Sequence, residues 1–342
     1  MSSLTQTAIF SHKAFRWALL TVAVIVSLIV LFMIGMSLKN SFFPSAPLPG
    51  TVSFGKIPRM DLTLGIAPTP GTTYQLENIS GDLPALSPFF KVFAIAMPEP
   101  SFGAQQRIIS SALGIGFGQT PQDTGTSLIF RDDEDPSKIL TVDILSGNFT
   151  FDSGFMNDPK LSSSRSKDAA FAIAEASSFF GRWGISLEDY PEELAQTRML
   201  RIENGVLVDA NSLSQSNVVE VTFRPGPIDN APVILLREND APLVALVFDD
   251  EVVRAKVNIV PVQKYKFATY PLKGTARAFE ELKAGKAAFS KAHAGKISIL
   301  DVSIGYVVSQ NSRDFLQPVY IFGGVDGFAA YVPAVSSEWL KD

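Results

Sequence analysis

The chain has 342 residues, 46% of them hydrophobic and 18% charged, with a formal net charge of −5, a composition that belongs to folded rather than disordered proteins. Its 29 Lys and Arg residues are scattered among 34 acidic ones, so it lacks the clustered cations that a nucleic-acid backbone requires. It contains no cysteine, which excludes disulfides, zinc–thiolate and iron–sulfur centres, thiol catalysis and a lipidated-cysteine anchor.

Residues 17–38, WALLTVAVIVSLIVLFMIGMSL, carry no charge. At about 1.5 Å per helical residue they span the roughly 30 Å hydrocarbon core of a bilayer. The run exceeds the ~7–15 apolar residues of a signal-peptide core, and SFFPSAP behind it has no clean small-x-small cleavage site. An uncleaved single-pass anchor is therefore expected. Lys13 and Arg16 precede the run and Lys39 stands alone after it until Lys56, which places the N-terminus in the cytoplasm and the rest outside. The expected layout is a cytoplasmic tail at 1–16, the transmembrane helix at 17–38 and a Pro-rich extended spacer at 39–57, with Pro44, Pro47 and Pro49 in it. Two extracytoplasmic α+β domains follow, 58–158 and 159–342.

Within them a helix-then-strands order recurs. FGAQQRIISSALGIGF reads as a helix ending at Gly114 or Gly116, followed by strands in TSLIFRD, KILTVDIL and NFTFDSG, with a turn at 146–148. SKDAAFAIAEASSFFGRWGI has apolar residues at helical spacing, with Ser166 or Asp168 as its N-cap. Strands in RMLRIENG and NVVEVTFRPG come next, then a hairpin over APLVALVFDDEVVRAKVNIV that turns at 249–251. The third unit begins with TYPLKGTARAFEELKAGKAAF, 269–289, which reads as a helix capped by Thr275, with Phe279, Leu282 and Phe289 on one apolar stripe that Gly285 interrupts or ends. The fold class is α+β, with two or three antiparallel sheets each covered by one helix.

Motifs for chemistry are sparse. RDDEDP, with Asp132, Asp133, Glu134 and Asp135, lacks the alternating ligand spacing and central glycine of a calcium loop, so a solvated turn is expected there, as at 249–251. His12 and His293 each stand without a second metal-ligating partner, and His293 reads as a surface loop residue. Ser164 and Lys167 form an S-x-x-K, and SQN follows at 309–311, but the K-[ST]-G that completes the penicillin-interacting serine signature is missing. No catalytic, cofactor or metal residue is assigned. Pro318 near a strand start suits an edge strand, which makes Leu316, Gln317 and Tyr320 the candidates for strand addition by a partner.

Ala278, Phe279, Leu282 and Gly285, then Ile299, Val302, Gly305 and Tyr306, then Gln317, Pro318, Val319 and Tyr320 carry a resemblance over about 268–333. The region resembles the YycH/YycI family of membrane-anchored extracytoplasmic regulators and, more loosely, PepSY-like modules. The resemblance implies a non-enzymatic regulatory protein of the bacterial cell envelope. Its partner would be another membrane or envelope protein, with the bilayer engaged through 17–38 and no cofactor. A peptide- or glycan-binding ectodomain is the alternative, and a serine-type envelope hydrolase a remote one.

Overall fold

The computed structural model describes residues 27, 49–62, 66, 69–96, 101–157, 166–237, 240–308 and 314–341. The expected cytoplasmic tail, the anchor apart from residue 27 and the spacer up to residue 48 lie outside these. Among the described residues no helix is long and apolar enough to cross a membrane. The chain divides into Met1–Leu48 and a compact unit, Pro49–Asp342.

In chain order the unit begins with β1 (Thr73–Leu76) and β2 (Phe89–Ile95), then α1 (Phe102–Gly114) and the strands β3 (Gln122–Asp123), β4 (Ser127–Arg131), β5 (Ile139–Asp143) and β6 (Phe149–Asp152). Helix α2 (Ala169–Trp183) leads into β7 (Gln196–Glu203), β8 (Val206–Asp209), β9 (Val218–Phe223), β10 (Val233–Leu235), β11 (Leu243–Phe248), β12 (Glu251–Val257) and β13 (Val262–Pro271). Helix α3 (Thr275–Lys283) precedes β14 (Ala288–Phe289), β15 (Lys296–Val308), β16 (Phe315–Leu316), β17 (Pro318–Gly324) and β18 (Ala329–Pro333).

The protein is α+β and mostly antiparallel, but the first two expected units fuse. Their strands form one nine-stranded sheet in the order β3-β4-β5-β6-β12-β11-β9-β7-β8. The join is β6 against β12, with Phe151 opposite Ala255. A domain boundary at 158 would cut this sheet in two, so the expected division into 58–158 and 159–342 is corrected. Both α1 and α2 lie on its apolar face, rather than one helix per sheet.

Helix α2 supplies most of that contact. Asp168 caps it, its Oδ1 accepting from Phe171 N at 2.8 Å, and Gly184 closes it in the left-handed region at φ 94°. Ala172, Ala176, Phe179, Phe180 and Trp183 are buried at helical spacing against Phe149, Phe151, Val221, Phe223 and Ala245. These are the alternate, inward positions of their strands. Ser166, the other candidate cap, is instead buried and shares a 2.9 Å hydrogen bond with Ser216.

The C-terminal sheet runs β1-β15-β17-β18-β14, with β10 also on β15. Helix α3 covers it through Ala278, Phe279 and Leu282, packed with Tyr320 and Phe322; Phe289, expected on the same helical stripe, lies beyond the helix in β14 and joins the cluster from there. Gly274 occupies the N-cap position, one residue before the expected Thr275, whose hydroxyl donates instead to Pro84 O at 3.0 Å. Both β1 and β10 join β15 in parallel, a departure from an all-antiparallel expectation. A third, small sheet, β13-β2-β16, lies beside it.

The spacer, too, is corrected where it is described. Thr51 N and Val52 N both donate to Thr269 O at 3.1 Å. Ile57 is fully buried with Tyr270, Val335 and Leu340. Residues 49–57 are part of the folded body, held by backbone hydrogen bonds and apolar burial rather than extended away from it.

Candidate functional site

The expected partner-binding edge is not an edge at Tyr320. Strand β17 is paired on both sides, with Ile304 and Val332 opposite Tyr320. Leu316 does lie in the outer strand of the small sheet, but its side chain is fully buried, and Gln317 and Tyr320 are 6% and 1% exposed. Gln317 Nε2 donates to Pro58 O at 2.9 Å. The side chains of these residues are committed to the core and to Pro58.

On the other side of the nine-stranded sheet, opposite α1 and α2, Phe155 covers Leu200, Val218, Leu246 and Phe248, and the rest of the face is open. Strand register places two rows of side chains across five strands there. Arg198, Glu220, Leu246, Arg254 and Asp152 form one row, and Gln196, Thr222, Val244, Lys256 and Thr150 the next. Arg198 Nε lies 3.2 Å from Glu220, and Arg254 Nη2 lies 2.7 Å from Asp152. All of these residues except Asp152 and Thr150 line a hollow of about 510 Å3. Arg224 stands at its rim and also lines a neighbouring hollow of about 620 Å3. It is half-buried, and its Nε is shut from solvent without an acceptor.

A second cavity, of about 450 Å3, lies where the nine-stranded sheet meets β10, β13 and the end of β15. Its walls are apolar, among them Ile185, Val233, Leu235, Ile259, Val262 and Val308. Its charged residues are Asp189, Asp240 and Lys264. Lys264 Nζ donates to Asp189 Oδ1, so that pair satisfies itself. Tyr190 also lines the space, and burial pushes its hydroxyl pKa well above the ordinary tyrosine value, with Asp189 adding to the rise, so the phenol stays neutral. The segment from Arg224 to Leu235 borders all of these hollows.

The remaining sequence candidates have structural roles. Asp132 Oδ1 accepts from Glu134 N at 2.9 Å and Asp135 N at 3.0 Å. These backbone donors hold its carboxyl below the usual range, ahead of the nearby Lys138. Asp249 turns the β11–β12 hairpin at φ 54°. Lys167 lies 3.7 Å from Asp250 and 4.1 Å from the Phe171 ring, tied to that hairpin tip. Ser164 and residues 309–311 lie outside the described residues, as does His12. His293 is no free surface residue: its Nε2 is 2.9 Å from Tyr74 Oη and its Nδ1 3.0 Å from Lys291 O, and it packs against Phe289 and Phe328. Among the described residues no group of three or more His, Cys, Asp or Glu is arranged to hold a metal.

No family profile matches the sequence, and no curated relative matches it. Among solved structures, an uncharacterized protein from Eubacterium rectale overlaps 77% of this chain and 87% of its own, at 13% identity and a TM-score of 0.36. The C-terminal domain of YpeB from Bacillus megaterium overlaps 70% of this chain and 95% of its own, at 10% identity and a TM-score of 0.32. Overlaps this loose assign neither a fold family nor an activity.

Proposed function

We propose that this protein is a non-enzymatic binding and regulatory protein of the bacterial cell envelope, anchored by residues 17–38 with its folded unit outside the membrane. It acts through contacts with another membrane or envelope protein. The anchor and its flanking charges support the location, and the likeness of 268–333 to YycH/YycI and PepSY-like modules supports the regulatory role. The observation that carries the contact reading is the helix-free face of the nine-stranded sheet, where a hollow of about 510 Å3 is bordered by Arg224 with an unsatisfied Nε. A buried guanidinium N–H without an acceptor is costly, and an outward turn of the half-buried side chain would bring it to a partner carbonyl or carboxylate.

A photo-crosslinking residue at Thr222, on that face, and one at Ser178, on the outer side of α2, test the reading in the full-length chain in its own membranes. A specific adduct from position 222, absent from 178 and weakened by Arg224→Ala, is the expected result. No adduct at 222, or the same adducts from both positions, would sink it.

A further inference from the structure

The second cavity is chemically unlike the open face. Of its three charged lining residues, two neutralise each other, which leaves Asp240 and one net negative charge in an apolar enclosure. Asp240 is only 7% exposed, and its Oδ2 is buried without any hydrogen-bond donor. Its backbone N–H is already committed to Arg237 O at 3.1 Å. Buried carboxylate oxygens are almost always paired, because an unpaired one forfeits its hydration for nothing. Pockets that bind small ligands combine apolar walls with a few such placed polar groups.

We propose that this cavity binds an organic cation on an apolar shaft, as presented by a lysine or arginine side chain, with Asp240 as its counter-ion. The aliphatic shaft lies along Val233, Leu235, Ile259 and Val308, and the cationic head donates to the Asp240 carboxylate. A partial turn about the soft terminal torsion of the aspartate brings Oδ2 out of its shut position towards the ligand. Tyr190, neutral and also lining the cavity, contributes an aromatic ring and a hydroxyl acceptor to the head group. A volume of about 450 Å3 exceeds what one alkylammonium fills, so the cation arrives on a peptide-sized body. This site shares Leu235 with the hollow of the sheet face assigned to the partner protein, but Asp240 lines only the cavity, so either can fail without the other.

The test is calorimetric titration of the full chain in mild detergent with three probes: acetyl-Val-Lys-Val-amide, the same peptide with norleucine for lysine, and pentylamine. The lysine peptide is expected to bind about tenfold or more tightly than the norleucine peptide, the scale of one charge-assisted hydrogen bond. Asp240→Asn is expected to erase that preference, and Val308→Trp, which fills the cavity, to abolish binding of both peptides. Pentylamine binding as tightly as the lysine peptide would make a free amine the source of the same chemistry. No binding by any probe, equal binding of the two peptides, or a preference that survives Asp240→Asn would overturn the proposal. Asp240→Asn also reads out without ligand. Its thermal midpoint should hold or rise, because it removes an uncompensated charge, and a marked fall would show that Oδ2 is already satisfied and overturn the argument.

Discussion

Gly305 decides whether the segment that lines the cavities can lie flush on β15. At this point Tyr306 N donates to Pro232 O at 2.8 Å, and β10 continues alongside β15 in parallel. A Cβ on residue 305 would stand 2.6 Å from Pro232 O, 2.7 Å from Ile321 Cδ1 and 3.1 Å from Pro232 Cγ. The isoleucine methyl can swing aside, but the carbonyl oxygen cannot move without losing its hydrogen bond. Gly305 is not among the residues of positive φ, so alanine meets no backbone penalty and only the contact is tested. Overpacking costs about 1–3 kcal/mol and the strained hydrogen bond about 1 kcal/mol. The reduced freedom of the unfolded chain returns about 0.4–1 kcal/mol. Gly305→Ala should therefore destabilise the fold by about 1–3.5 kcal/mol. With an m-value of about 3 kcal/mol/M, the upper end for urea, the unfolding midpoint falls by about 0.3–1.2 M. Faster hydrogen exchange at the Tyr306 amide should accompany it. An unchanged midpoint with that amide still protected would show that the segment does not need this close approach.

Phe180→Ala removes a fully buried ring that meets Phe179 and Phe223 edge-on, at centroid distances of 5.7 and 5.8 Å. A loss of about 4 kcal/mol in urea unfolding is expected, and one below about 1 kcal/mol would mean that α2 is not anchored there. Asp168→Ala, which deletes the α2 cap, should cost about 1 kcal/mol, while Asp168→Asn should recover most of it. Burial raises the Tyr74 hydroxyl from its ordinary pKa of 10 to about 12. The folded protein then keeps a proton that the unfolded chain has released, so this contribution is intact below about pH 10 and is lost as pH rises towards 12. Tyr74→Phe should make that alkaline fall in stability shallower, and an identical slope in both proteins would refute the assignment.

Local signals in the sequence carried most of the element assignments. The spacing of Ala172, Ala176, Phe179, Phe180 and Trp183 announces a helix with one buried face, and the structure buries all five. The turn at 146–148 has Gly147 at φ 71°, and the hairpin at 249–251 turns where its acidic residues cluster. What stayed hidden depends on pairing between distant segments. Nothing in TYQL or VIL distinguishes a parallel partner of β15 from a loop, because their periodicity is too short to read and the partner is remote. The fusion of two units into one sheet was equally invisible, since β6 and β12 are separated by about a hundred residues and each reads as an ordinary half-buried strand. Pro318 suggested an edge because it lacks an N–H, yet the strand it begins is paired on both sides. Asp240 carries no signal at all beside an unremarkable APLVALVF. Only burial without a partner singles it out.

The segment that joins the nine-stranded sheet to β15 is the part of the molecule on which both proposed sites depend. It leaves β9 at Phe223, closes a tight turn in which Ile228 and Ala231 exchange hydrogen bonds of 3.0 and 2.9 Å, and lies down as β10. Asp229 and Asn230 occupy the turn at φ 51° and 64°, the conformation that these two residue types adopt most readily after glycine. The Lys91–Asp229 pair at 2.6 Å is partly exposed, 24% and 50%, and contributes little by itself. Burial of Ile228 and Ala231 against Phe93, Tyr306 and Leu316 holds the turn in place. Leu316, expected to meet a partner, thus acts from behind, as part of the wall that fixes the connection. A connection pinned by its own turn and by the core keeps the hollows open before anything enters them, so little ordering entropy opposes binding. Selectivity then rests on the charges left unmatched, a cation at Arg224 on the open face and an anion at Asp240 in the cavity, and opposite signs at neighbouring sites favour different ligands.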